Sequence, residues 1–157
     1  MNVARFSGGR DAQLGDSATL FGDIAAAGGP YPGESRDQPG IVEVFDREPL
    51  TGIWNRTAKL SPSDIAAAAP SRFGDSVSVS HNAILVGAPL DSNEGGLSKG
   101  ATYIFEKAPS TGEWVEVKKL VPPDSEEVIN FSHDVFIADN VAFICATILR
   151  IIDFSKI

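Results

Sequence analysis

At 157 residues, with 43% hydrophobic and 22% charged side chains, the chain has the make-up of a globular domain that can bury a core, not of a disordered segment. A net charge of -8 argues against nucleic acid or an anionic membrane as partner. The apolar run at residues 141–149 is far short of the ~20 residues that span a bilayer, so membrane insertion is not expected.

Residues 1–13, MNVARFSGGRDAQ, form a leader without the apolar core of a signal peptide. A first unit covers 14–64, a second 65–124, and a partial third 125–157. The units are copies. Gly15-Asp16-Ser17 falls on Gly74-Asp75-Ser76, Gly28 on Gly87 and Pro30 on Pro89, at an offset of 59. After one extra residue near Lys99, Phe45 falls on Phe105, TGIW (51–54) on TGEW (111–114), Lys59-Leu60 on Lys119-Leu120, and Asp64 on Asp124. A third copy starts with Phe131 on Phe73 and keeps the pattern to Ala146. A period of this length marks one supersecondary unit used several times.

Each unit reads as four short strands. In the second, residues 76–80 (SVSVS) alternate with period two, and 83–88 (AILVGA) are apolar on both faces. Residues 101–107 and 113–120 follow, rich in β-branched and aromatic side chains. The dipeptides Gly22-Asp23, His81-Asn82 and Asp139-Asn140 join the first two strands of each copy and are expected to supply the positive φ of a two-residue hairpin turn. Residues 49–52 and 109–112 turn between strands three and four. The connector DIAAAAPS (64–71) favours a turn of helix before Pro70 stops it.

A second strand that is apolar on both faces requires cover on both sides. Small first-strand residues (Ser76, Ser78, Ser80) suit converging sheets, and Glu113, Glu116, Lys118 and Lys119 suit a charged outer edge. The expected fold is all-β: an incomplete β-propeller of four-stranded antiparallel blades, two full and a partial third. Phe73, Val77, Val79, Ile84, Val86, Ile104, Phe105 and Trp114 are its expected core. Cys145, the single cysteine, permits no internal disulfide and reads as a buried structural thiol.

RFGDSVSVSHNAILVGAP (72–89), followed by a Gly-rich acidic loop, GATYIFEK and TGEWVEVKKL, resembles an FG-GAP repeat, the unit of integrin-alpha-type propellers. Phe73-Gly74 stand for the FG and Gly87-Ala88-Pro89 for the GAP. The first copy has Leu14-Gly15 and Gly28-Gly29-Pro30; the third has Phe131-Ser132 and Cys145-Ala146-Thr147, without the glycines. The resemblance implies a non-catalytic recognition platform, extracellular or at the cell surface, often in adhesion.

It also implies a calcium loop after the GAP motif. Here that loop is DSNEGGLSK (91–99). Asp91 and Asn93 fit the ligand positions and Glu94 could assist, but Gly95 and Lys99 stand where carboxylates are needed. Calcium takes six to eight oxygens, so weak or absent binding is expected and no cofactor is assigned. The FGDS block also resembles the nucleophile block of GDS-type serine esterases, with Ser76 as nucleophile. Its duplication at Gly15-Asp16-Ser17 and the missing late Asp-x-x-His block favour a strand role for Ser76. His81 and His133 match no metal or catalytic template.

The working surface is expected on the loops between strands two and three, 30–40 and 89–100, because the copies differ most there. Tyr31, Glu34, Arg36, Asp37, Asp91, Asn93, Glu94 and Lys99 mix charge with one aromatic, which suits a protein or glycan partner. The alternative is a structural filler whose binding surface lies in blades not present, with remaining blades or a second copy covering the end faces. Asn55 and Asn130 open glycosylation sequons.

Overall fold

The computed structural model describes residues 14–31, 38–64, 70–92, 99–123, 130–139, 141–146 and 150–153. Among these there is no helix; the stretch 65–69 of the connector lies outside the described residues. The first sheet contains β1 (Ser17–Phe21), β2 (Ile24–Gly29), β3 (Ile41–Arg47) and β4 (Trp54–Leu60), hydrogen-bonded in sequence order. The second repeats this with β5 (Ser76–Val79), β6 (Ala83–Ala88), β7 (Ala101–Lys107) and β8 (Trp114–Leu120). The third has β9 (Asp134–Ala138), β10 (Val141–Cys145) and β11 (Arg150–Asp153), with β10 central. All pairings are antiparallel. The fold is all-β, an open array of propeller blades.

The copies agree in detail. Both third strands bulge at the same place, between Val44 and Phe45 and between Ile104 and Phe105, which adds local twist. Both β3–β4-type turns close alike: Gly52 N–H donates to Glu48 O and Gly112 N–H to Ala108 O, each at 2.8 Å. Gly52 and Gly112 take φ of 71° and 73°.

The first-second strand turns do not all obey the expected rule. Gly22 (φ 57°) and Asp139 (φ 51°) are left-handed, but neither His81 nor Asn82 is. That turn closes through Ser80 N–H to Ala83 O at 2.8 Å, in a form open to ordinary residues. The His81 ring instead packs edge-on to Phe21 of the first sheet, centroids 4.5 Å apart.

Two apolar layers hold the three sheets. The first joins Val42, Val44 and Leu60 to Phe73, Val77, Val79, Ile84, Val86, Tyr103 and Phe105, with Trp114 half-buried against it. The second joins Leu85 and Ile104 to Phe131, Val135, Ile137, Ala142 and Ile144. Every residue of β6 is buried, as expected of a strand covered on both faces. The outer strand β8 differs from expectation: Val115 and Val117 face solvent while Glu116 and Lys119 are partly buried. Glu116 turns inward because Ser63 donates both its N–H and its hydroxyl to the carboxylate, each at 2.9 Å. Cys145 is half-buried rather than buried, on the face of the third sheet turned away from the second, where Phe136 stands 57% exposed.

Candidate functional site

The joint between sheets explains the repeated motif. Ser17 Oγ donates to Gly74 O at 2.9 Å, and the equivalent Ser76 Oγ donates to Ser132 O at 3.1 Å. Gly28 and Gly87 lie beside these bonds. A β-carbon at Gly28 would strike Gly74 O and Ser17 Oγ, and one at Gly87 would strike Ser132 O and Ser76 Oγ. The first and second sheets therefore each offer a serine–glycine socket that receives the carbonyl of the next sheet's entry turn. Phe73 fills the layer beneath, edge-on to Tyr103 and Phe105 at 5.4 and 6.0 Å.

In the third copy Ser132 replaces glycine and still takes a φ of 66°. Its buried hydroxyl compensates, accepting Ala88 N–H at 3.0 Å and donating to Ala101 O. The socket on the far face of the third sheet is changed: Asp134, Phe136 and Cys145 hold the positions of Ser76, Ser78 and Gly87. Ser76 is 6% exposed and its hydroxyl is committed to the joint, a structural role that the duplicated Ser17 shares.

The strand order places the loops between strands two and three at the same end of each sheet as the outgoing connectors. Of the rim residues expected from the sequence, Glu34, Arg36, Asp37, Asn93 and Glu94 lie outside the described residues. Tyr31 lies under the Arg72 guanidinium, 5.3 Å from the ring centroid. Arg72 also pairs with Asp75 at 2.6 Å. Burial raises the Asp75 carboxyl above its ordinary range, against the opposing charges of Arg72 and His133. Lys99 is half-buried, and its carbonyl accepts Phe131 N–H at 2.9 Å.

Asp91 is turned inward, with 3% exposure. Its Oδ2 lies 2.6 Å from the Tyr103 hydroxyl and its Oδ1 3.1 Å from Lys119 Nζ. Asp64, on the connector from the first sheet, meets the same two groups: Oδ1 is 2.7 Å from Tyr103 and Oδ2 2.7 Å from Lys119. The hydroxyl has one proton and serves one carboxylate at a time; the ammonium serves both. Burial, then the two carboxylates, push the Tyr103 hydroxyl strongly up. Burial alone would raise Asp64, but hydrogen bonds from Lys119 and Tyr103 hold it below its usual range. For Lys119, burial is outweighed by Asp64 and Asp91, and the ammonium is held above its ordinary value.

Calcium does not fit the described part of this loop. Both oxygens of Asp91 are engaged, one by an ammonium that would repel a divalent ion. Sequence reasoning missed this cluster. Lys119 and Asp64 were visible as repeat matches, but Tyr103 stands where the first copy has Glu43, and no linear spacing joins the four.

At the opposite rim a polar cleft of about 430 Å³ lies between the first two sheets, lined by Asp23, Asp46, Arg47, Glu48, Asn55 and Lys107 among others. Lys107 reaches across to Asp46 at 3.4 Å, and Arg47 pairs with Asp23 at 3.5 Å. The joint is thus tied by charge at both ends.

Residues 54–105 match the family model described as the FG-GAP repeat. The match runs from β4 through β7 and so centres on the joint between the first and second sheets. Among curated proteins, none matches the chain.

Proposed function

We propose, from the FG-GAP repeat that this chain carries, that it is a non-catalytic recognition or adhesion module. Its propeller blades present the loops between strands two and three to a protein or glycan partner. The observation that carries this reading is the shared rim: equivalent loop stems leave each full sheet at one end and are braced by the following unit. Tyr31 is braced by Arg72 and the Lys99 carbonyl by Phe131, each from the following unit, while Asp91 is held by Lys119 of its own sheet. A rigid scaffold with variable loops at one edge is a general solution for binding. The candidate contact residues are Tyr31, Glu34, Arg36, Asp37, Asn93, Glu94 and Lys99; the burial of Asp91 gives it a bracing part instead. An extracellular or cell-surface setting follows from the family resemblance and belongs to the same proposal.

The inward turn of Asp91 also favours the second reading, a structural filler whose partner surface lies elsewhere. Exchange of residues 32–37 and 93–98 for Gly-Ser segments of equal length separates the two and leaves the Asp91 contacts intact. Binding to protein and glycan arrays, with circular dichroism to monitor folding, is the readout. Binding lost with the fold intact supports recognition through these loops; binding retained assigns the segment a structural part.

A further inference from the structure

We propose that Asp64 and Asp91 form a cation seat whose resident cation is the Lys119 ammonium, so that the first and second sheets are fastened here without a metal ion. The three groups come from different pieces of chain: the connector leaving the first sheet, the loop after β6, and the outer strand β8. Nζ lies 2.7 and 3.1 Å from one oxygen of each carboxylate. Tyr103, from β7, bridges the remaining oxygens at 2.7 and 2.6 Å and stands 5.2 Å from Nζ through its ring.

Two carboxylates this close to one hydroxyl repel each other unless positive charge lies between them. A divalent ion is the usual solution where oxygen ligands converge. Here a side chain supplies the charge, and its tether makes the arrangement part of folding rather than of ion binding. Lys119 is only 20% exposed and Asp91 is buried, so solvent screens this contact less than a surface pair. The equivalent groups of the first copy, Lys59 and Glu43, are not arranged alike: Glu43 pairs with Arg56 at 2.9 Å. Among the described residues the seat is seen at the second unit.

The test compares the melting temperature of the wild-type chain with that of Lys119→Met, each in EDTA and in millimolar calcium. The wild type should melt alike in both. Lys119→Met should melt about 2–4 °C lower in EDTA, the shift of a ~1 kcal/mol loss in a domain of this size, and calcium should restore it. Adding Asp91→Asn to that variant should abolish the rescue. If Lys119→Met does not fold, reductive methylation of the wild-type chain decides: Lys119 should react about tenfold more slowly than its exposed neighbour Lys118, because only opened molecules react. A wild-type melting point raised by calcium, a Lys119→Met chain as stable as wild type or indifferent to calcium, or equal methylation of the two lysines would overturn the proposal.

Discussion

The Ser76 hydroxyl of the second sheet donates to the Ser132 carbonyl of the third at 3.1 Å, in the same geometry by which Ser17 holds Gly74. Gly87→Ala puts a methyl group where that carbonyl lies. It should cost about 1–3 kcal/mol, the usual penalty for overpacking. Ser76→Ala should cost less, about 0.5–1.5 kcal/mol for one hydrogen bond. Urea unfolding midpoints give both values, and the order of the two is the critical result.

Ile84 is buried to 0% exposure between the first and second sheets. Ile84→Ala should destabilise by about 2–5 kcal/mol. Val117→Ala, on the outer strand at 50% exposure, should stay within about 0.5 kcal/mol of wild type. Equal losses at the two positions would contradict the sandwiched second sheet.

Ser132→Gly restores the glycine of the repeat motif and relieves a left-handed φ of 66°. It also leaves the buried Ala88 N–H without its serine acceptor. A buried donor left unpaired costs about 1–3 kcal/mol, and relief of the strained backbone returns about 1–2 kcal/mol. With Ser132 fully buried the hydrogen-bond loss should prevail, so the variant should unfold at lower urea than wild type.

Two carboxyls should respond to acid in opposite senses. Asp64 is held below its unfolded value of 3.8, so the unfolded chain binds more protons there. Its contribution is full above 3.8 and is lost as pH falls through the lower folded value. Asp75 is held above 3.8; its protonated form is favoured by the fold, and stability is lost as pH rises from 3.8 through the folded value. Unfolding midpoints measured across the acid range should show Asp64→Asn costing most at neutral pH and least in strong acid. Asp75→Asn should remove a term that opposes stability at neutral pH.

The repeat was legible because the two full copies obey the same local rules: period-two strands, glycines where sheets approach, and a Thr-Gly turn before each tryptophan. Those rules locate the strands of both full units and the first two of the third, though not β11, which lies past the end of the repeat pattern at Ala146; seven of the eight expected core residues are buried, Phe73, Val77, Val79, Ile84, Val86, Ile104 and Phe105, with Trp114 packed at the margin. The cluster around Lys119 was not legible, because Asp64, Asp91, Tyr103 and Lys119 meet only through the packing of one sheet's connector on the next. Read along the chain, Asp91 begins a polar loop; in the fold its backbone N–H donates to Ala88 O at 3.1 Å, and its side chain is turned under the rim. The His81-Asn82 turn escaped for a similar reason: its ring contact with Phe21 belongs to another sheet.

The socket and the carbonyl it receives are different surfaces, so the joint has a direction. A head-to-tail contact of this kind can be repeated without limit, as in a filament, unless geometry closes it or one end is plugged. On the third sheet the glycine position of the socket is held by Cys145. It occupies the position of Gly87, where a β-carbon would meet an incoming carbonyl, and Asp134 replaces the serine that would donate to it. The two contacts that make the other joints, a serine hydroxyl donor and a glycine beside it, are therefore not repeated at these positions of the third sheet. The direction of the joint is thus written into two side chains per sheet, and the third sheet carries a different pair.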